Sequence, residues 1–522
     1  MFNLLDDRLI TIAIDSQTET ATLPEVYAAL IADKVVAFPA LRPHQRHAWH
    51  AFLVQLGAMA LLRAGRIAPP DAADEWRDLI RRLTPECPHA EPWQLVIEDI
   101  TVSAFLQPPA SAAGKIADYK NVVETPDGLD MLVTSKNHDL KSAVASAAEV
   151  SHWIFALITL QTMEGFSGAG NYGISRMNGG LGCRPAFTLT PSERPGTHVR
   201  RDIGALLEKR EGTLDLSLTR DGGVQLLWTK PWDGTRAEAL LLSDLDPFYI
   251  EICRRVRLRA DSDGKLSAVR ATSKAARIEA KALKGVTGDP WTPVSKTDSK
   301  CLTLAAGGFT YKRTADYLLE ADWEAPPLLK PTRAEEQSSE GMRLVARAMV
   351  RGQGKTEGYY ERIVPLKPKT VRAIGQARDH GDLGDIANGR IDDVRRVQRI
   401  LRHGVWTFAA GGKTERVGDE TRALANPWAN RLDHHVDVTF FDDLQEEFEA
   451  DSNDARDQIR RNWQRRVISD ARNLLRQAQD TLPCPAIHRY RARVRSDRVF
   501  EGRIRGNTGF PDLFDLREAE QE

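Results

Sequence analysis

Apolar residues recur at three- and four-residue steps in several long stretches, and each such stretch predicts a helix that buries one face. His47 to Leu62 is one, and Lys141 to Met163 predicts a longer one ending at Gly165, which also suits a helix C′ glycine. Phe2 to Ile14 reads as a strand pair and Trp93 to Phe105 as extended chain. From Gly222 to Arg270, short apolar runs alternate with turn residues. Within them Arg255, Val256, Arg257, Leu258, Arg259 and Ala260 alternate as a half-buried strand whose basic face is turned to solvent or to phosphate. Arg343 to Val350 and Tyr359 to Val364 flank Gln353 to Gly358 in the manner of a hairpin with a polar tip.

After Pro365 and Pro368 the period changes to a helical one throughout, across Ile374 to Arg378, Ile391 to Phe408, Asp433 to Phe448 and Asp454 to Gln479. Ile459, Trp463, Val467, Leu474 and Leu475 mark one apolar stripe, and short connections favour antiparallel packing into a bundle. The expected fold is therefore α+β, with a mixed domain over residues 1–366 and a helical bundle over 367–522.

Composition narrows the function classes. At 522 residues, 42% hydrophobic and 28% charged, the chain can bury a large core in two or more domains. The apolar run Trp153 to Ile158 is far shorter than the roughly 20 residues that span a bilayer, and no basic, apolar, cleavable leader opens the sequence, so a cytoplasmic location and no membrane partner are expected. Five scattered cysteines without a C-x-x-C pair argue against a disulfide framework and a cysteine zinc site. The net charge is −1, yet Arg456 to Arg505 holds fourteen arginines against five acids, while acids gather from Asp442 to Asp457. Such local imbalance fits a subunit of a nucleic-acid assembly, or a solvated helix face laced with ion pairs.

Gly165 to Gly182 contains seven glycines, two aromatics and one arginine. Glycine loses the most chain entropy on folding, so this density implies left-handed backbone or close approach of something to the chain. Gly168, Gly170 and Gly173 spell a dinucleotide-binding turn, but that motif follows a strand and opens a helix, whereas a helical pattern precedes this one. Gly352-Gln353-Gly354-Lys355-Thr356 resembles a phosphate-binding loop, but Met349 stands where its first glycine belongs. Neither a nucleotide cofactor nor an ATPase is expected. His138-Asp139 lacks the further ligands of a metal phosphohydrolase, and Asn137 or Asp139 reads better as a helix N-cap. The neighbours His434 and His435 point to different helix faces, so no metal and no cofactor is expected.

Taken together, several segments resemble the large-subunit (CasA) family of the type I-E CRISPR surveillance complex, Cascade, collinearly over nearly the whole chain. They are Phe2-Asn3-Leu4-Leu5, Ala104-Phe105-Leu106-Gln107 (with Ala104 where the family has proline), and Gly165-Phe166-Ser167-Gly168 continuing to Arg176 and Gly179-Gly180. Asp289-Pro290-Trp291-Thr292-Pro293 and the hairpin glutamine Gln353 complete the set.

The resemblance implies a closing four-helix bundle and a subunit without a catalytic centre. Such a subunit finds the protospacer-adjacent motif (PAM) in double-stranded DNA and begins opening the duplex for guide RNA. It implies a glycine loop (Gly165, Phe166, Ser167, Gly168, Ala169, Gly170, with Arg176 beyond), a lysine finger at Lys281 or Lys284, and a glutamine wedge at Gln353, flanked by Gly354. Arg351 and Lys355 are implied as phosphate contacts, and Lys136 and Asn137 as part of a further motif-contacting loop. The implied partners are other Cascade subunits, CRISPR guide RNA, target duplex with its displaced strand, and a helicase-nuclease recruited in trans. A minor groove only about 6 Å wide admits side-chain-poor backbone, and its acceptor pattern is degenerate, so several related motifs would be accepted. The competing readings are a metal-dependent enzyme acting on nucleic acid, with Asp139 or Glu357 as ligands, and a purely structural scaffold.

Overall fold

The structure, a computed structural model, describes residues 2–111, 116–130, 148–180, 182, 184–214, 218–352 and 355–514. The chain divides into two compact units: residues 1–309 with 321–368, and residues 310–320 with 369–522. A linear cut after residue 366 misses the excursion at 310–320, whose helix Tyr311–Leu319 belongs to the second unit. Helix predominates, about 47% against 16% strand, and the strands lie in small separate sheets, so the fold is α+β.

The first unit is organised around the helix Arg46–Arg63, in which the run from Ala51 to Leu61 is buried on every face. A helix apolar all round must be covered all round. The helices Leu23–Ile31, Val150–Met163 and Pro195–Glu208 pack with it in one core. Gly57 permits the closest approach, since a Cβ there would lie 2.8 Å from Ile203 Cδ1. The predicted strand pair at the start is instead Ile10–Ile14 paired with Gln17–Ala21 and Val35–Ala37, while Asn3 makes only a bridge to Gln94. Trp93 to Phe105 is not a strand. Trp93 ends a 3-10 turn and its indole packs edge-on against Trp228, so burial of large rings, not ladder pairing, explains its apolar character.

The predicted strand Arg255–Ala260 forms and pairs with Leu266–Ala271, with Asn121–Val123 at the edge. The basic face does not. Arg257 is buried and donates to the carbonyls of Asp99 and Val102 at 2.8 and 2.7 Å, and Arg255 lies over the Tyr119 ring. These guanidiniums satisfy loop carbonyls that would otherwise be orphaned. The long hairpin Met342–Gly352 with Lys355–Leu366 forms a three-stranded sheet with Ala186–Thr190.

The second unit is built on four long helices, Ala377–Ala409, Asn426–Glu449, Asn453–Thr481 and Ala486–Arg505. Trp463, Val467, Leu474 and Leu475 face inward, as their spacing predicts. The arginine-rich stretch is laced with ion pairs: Arg460 with Asp393 and Glu447, Arg472 with Glu501, Arg466 with Asp443. Arg461, Arg465, Arg476, Arg491 and Arg498 remain exposed. Phe440 is fully buried with its ring 4.6 Å from that of Tyr311. Phe440→Ala is expected to destabilise this unit by about 3–5 kcal/mol, measured by denaturant unfolding of the whole chain.

Candidate nucleic-acid interface

The helix Val150–Met163 stops without a left-handed cap. Glu164 is already extended (φ −84°, ψ 133°), and Gly165 is required for a different reason than helix termination. A Cβ on Gly165 would lie 2.5 Å from the Gly182 carbonyl oxygen and 2.7 Å from that of Gly180, and a Cβ on Gly173 would lie 2.7 Å from the carbonyl carbon of Gly165. Three backbone passes therefore meet at the loop's base, which only glycine allows. The amides of Gly165 and Phe166 donate to the carbonyls of Gly182 and Gly180 across this crossing, at 3.2 and 2.8 Å.

Above the base, residues 166–169 are exposed. Gly168 has φ +98° with open space around its α-carbon, and Asn171 N donates to Gly168 O at 3.0 Å to close the tip. The amides of Gly168, Ala169 and Gly170 make no hydrogen bond among the described residues. The tip is thus a narrow edge of exposed N–H groups, with Phe166 set edge-on to Tyr172 at 6.4 Å.

A buried carboxylate fixes this loop to the hairpin. Glu164 receives Arg254 Nη2 at 3.2 Å on one oxygen and Arg351 Nη1 at 2.7 Å on the other, all three side chains less than a tenth exposed. Arg254 also donates to the carbonyls of Gly165 (2.8 Å) and Tyr172. Arg351 keeps the alternation of its own strand, on the face of Arg343 and Arg347, and the register shift opposite it lies on the returning strand, where Gly358 adopts φ +145°. Arg351 is therefore an internal anchor and not the phosphate contact that the resemblance implies.

Arg176 also departs from expectation. Its guanidinium is 1% exposed, stacked 3.8 Å over the Tyr249 ring and donating to Tyr249 O at 2.9 Å, so it braces the glycine segment from within. The far end is pinned by Arg184, paired with Asp289 at 2.5 Å inside the protein. That pair holds Asp289 below the usual carboxylate range, against the effect of burial. The turn Asp289 to Pro293 thereby acquires its role: Asp289 also accepts from Trp291 N and Thr292 Oγ1, both at 3.0 Å.

Lys281 and Lys284 are both exposed. Lys284, with φ +49°, precedes Gly285, whose α-carbon lies against Met177 and Asn178, so of the two it adjoins the glycine segment. A third lysine escaped sequence reasoning. Exposed Lys274 follows Ser273, whose amide donates to Gly170 O at 2.9 Å, and its own carbonyl accepts from the Tyr172 hydroxyl at 3.1 Å. Its sequence surroundings carry no motif; only the fold brings it to the loop. Gln353 and Gly354, as well as Lys136 and Asn137, lie outside the described residues, as does the side chain of Lys355.

If the Glu164 bridge holds this face together, Glu164→Ala leaves two buried guanidiniums uncompensated and is expected to cost about 3–5 kcal/mol. Denaturant unfolding measures the loss, and limited proteolysis within 165–173 should accelerate with it.

The profile of the CRISPR-associated protein Cse1 family matches residues 3–474. Solved structures share the fold: CasA (Cse1) of Thermus thermophilus, 15% identical, with TM-score 0.61 over 96% of this chain and 98% of that one. Cse1 of Acidimicrobium ferrooxidans is 16% identical, with TM-score 0.62 over 96% and 97%. Cse1 of Thermobifida fusca is 15% identical, with TM-score 0.61 over 97% of each chain. No curated protein sequence matches significantly, and no helix among the described residues is long and apolar enough to cross a membrane. With the family profile spanning nearly all of the chain, this protein belongs to the Cse1 family, the large subunit of the type I-E CRISPR Cascade complex, whose other subunits are its partners.

Proposed function

We propose that the face built on the glycine loop and the hairpin tip meets double-stranded DNA. There it reads the PAM from the minor groove and starts duplex opening for guide RNA pairing, without catalysing a reaction itself. The observation that carries this reading is the Glu164 bridge. One buried carboxylate ties the exposed, side-chain-poor edge at Gly168 to the strand that leads, two residues beyond Arg351, into Gln353. In this reading the exposed edge Phe166 to Ala169 enters the groove, buried Gly165 and half-buried Gly170 shape its base, and Gln353 wedges the adjoining base pair apart.

Lys274 is the best-placed finger, because its backbone is tied to the loop that enters the groove. Lys284 adjoins the glycine segment at Met177 and Asn178, and Lys281 stands one turn before it. An ammonium donating to groove acceptors cannot tell A·T from T·A, which suits a reader of several motifs. Lys355, Gly354, Lys136 and Asn137 keep their proposed contacts to backbone and motif. Exchange of a DNA duplex for an RNA–DNA hybrid is nearly balanced in energy, so unstacking one step, at roughly a few kcal/mol, chooses where opening begins. The exposed arginines of the bundle hold phosphates of the displaced strand, and the opened complex recruits the helicase-nuclease.

Two outcomes test the proposal. In the complex assembled with guide RNA, Gln353→Ala, Gly168→Leu and Lys274→Ala should each weaken binding to motif-bearing duplex by about tenfold or more, as ~1–3 kcal/mol per groove contact implies. Binding to motif-free DNA should persist and fall steeply with salt. Unchanged motif preference in all three variants would leave only a scaffold role. Labelled DNA incubated with the purified chain and magnesium or manganese is expected to stay intact.

A further inference from the structure

The helices Arg46–Arg63 and Pro195–Glu208 bring two histidines and one aspartate to a point far in sequence from the glycine loop. His198 and Asp202 stand four residues apart and therefore on one helix face, and His50 faces them from the other helix. His50 Nε2 lies 2.8 Å and His198 Nε2 3.5 Å from the same oxygen, Asp202 Oδ2. The two imidazole rings are 3.9 Å apart, and the three donor atoms all lie within 4.8 Å of one another. Ligands on a tetrahedral zinc-class ion, at about 2.0–2.1 Å each, sit about 3.3 Å from one another. The two observed separations bracket that value.

Two further observations point to a cation. The first is the buried His198 Nε2, which has no hydrogen-bond partner and is aimed at the carboxylate. A single proton shared between His50 and Asp202 leaves this nitrogen orphaned, a cost of roughly 1–3 kcal/mol. A metal ion would engage it together with the other two atoms. The second is the support behind the carboxylate. Arg201 Nη1 donates to Asp202 Oδ1 at 3.0 Å, Thr188 Oγ1 lies 2.9 Å from both Asp202 oxygens, and Glu335 neutralises Arg201 in a two-pronged pair at 2.9 Å. Outer partners of this kind orient a metal-binding carboxylate. His50 and His198 also line a cleft of about 270 Å³ with Arg46, Arg347 and Glu361, which leaves space for a water as fourth ligand.

We propose that His50, His198 and Asp202 form a site for one divalent first-row transition metal of the zinc class, clamping the two helices, with its fourth position open to the cleft. Two nitrogens and one carboxylate suit zinc or cobalt and not magnesium or calcium, which prefer all-oxygen shells.

The test uses the untagged, full-length chain stripped with chelator and titrated with Co²⁺ as spectroscopic probe. One equivalent per chain should produce the intense visible band of tetrahedral cobalt, which Zn²⁺ then displaces, and Zn²⁺ should raise the thermal midpoint. His198→Asn and His50→Gln should each weaken binding at least about tenfold and abolish the midpoint shift. Circular dichroism would verify that both variants fold; His50, at the rim of the cleft, is the milder change should His198→Asn fail. Absence of a band in the wild-type chain, or a band and midpoint shift retained in the folded variants, overturns the site.

Discussion

One buried carboxylate fixes how the root of the glycine loop meets the hairpin. Glu164 ends the helix Val150–Met163, and its two oxygens are divided between Arg254 and Arg351. Burying an ion pair costs desolvation that Coulomb attraction repays only in good geometry, so such an arrangement is weak as a source of stability. Its value is in specification. Two guanidiniums, one just before the strand Arg255–Ala260 and one on the hairpin, have no other anion to meet among these contacts, and the glycine loop and the hairpin are held in one relation. The same device recurs along the glycine-rich segment, with Arg176 on Tyr249 in the middle and Arg184 on Asp289 at the end. A segment with seven glycines in eighteen residues is shaped by buried arginines within it and beside it.

This explains why arginine was hard to read from the sequence. Alternation predicted the strand Arg255–Ala260 correctly, yet the pattern carries no information on whether a guanidinium faces water or a buried carbonyl. Arg257 and Arg176 are both buried, and each satisfies backbone acceptors. The bundle helices were legible because their apolar spacing leaves one solution for burial, whereas Arg46–Arg63, expected to bury one face, is covered all round. The glycine cluster was legible as a place of close approach, but Gly165 and Gly173 serve a backbone crossing at the base while Gly168 serves the exposed tip. Lys274 and the His50, His198 and Asp202 group had no local signal, because each depends on contacts across tens to more than a hundred residues.

In the bundle, part of the local excess of arginine is spent on partners supplied by the acid-rich stretch before it. Arg460 and Arg466 meet Glu447 and Asp443 on the neighbouring helix. Charge imbalance within a window of sequence is thus partly cancelled in space, and arginines such as Arg461 and Arg476 stay exposed.

The shifted register at Val350 and Arg351 has a consequence for how such a hairpin can vary. The extra residue lies on the returning strand, so the strand Met342–Gly352 keeps one unbroken alternation through Arg351 to Gly352. Length added beyond Gly352 leaves Glu164 facing Arg351. Length added before it would turn the anchoring side chain to the opposite face. Attachment at the root of the hairpin is thereby independent of its length beyond Gly352.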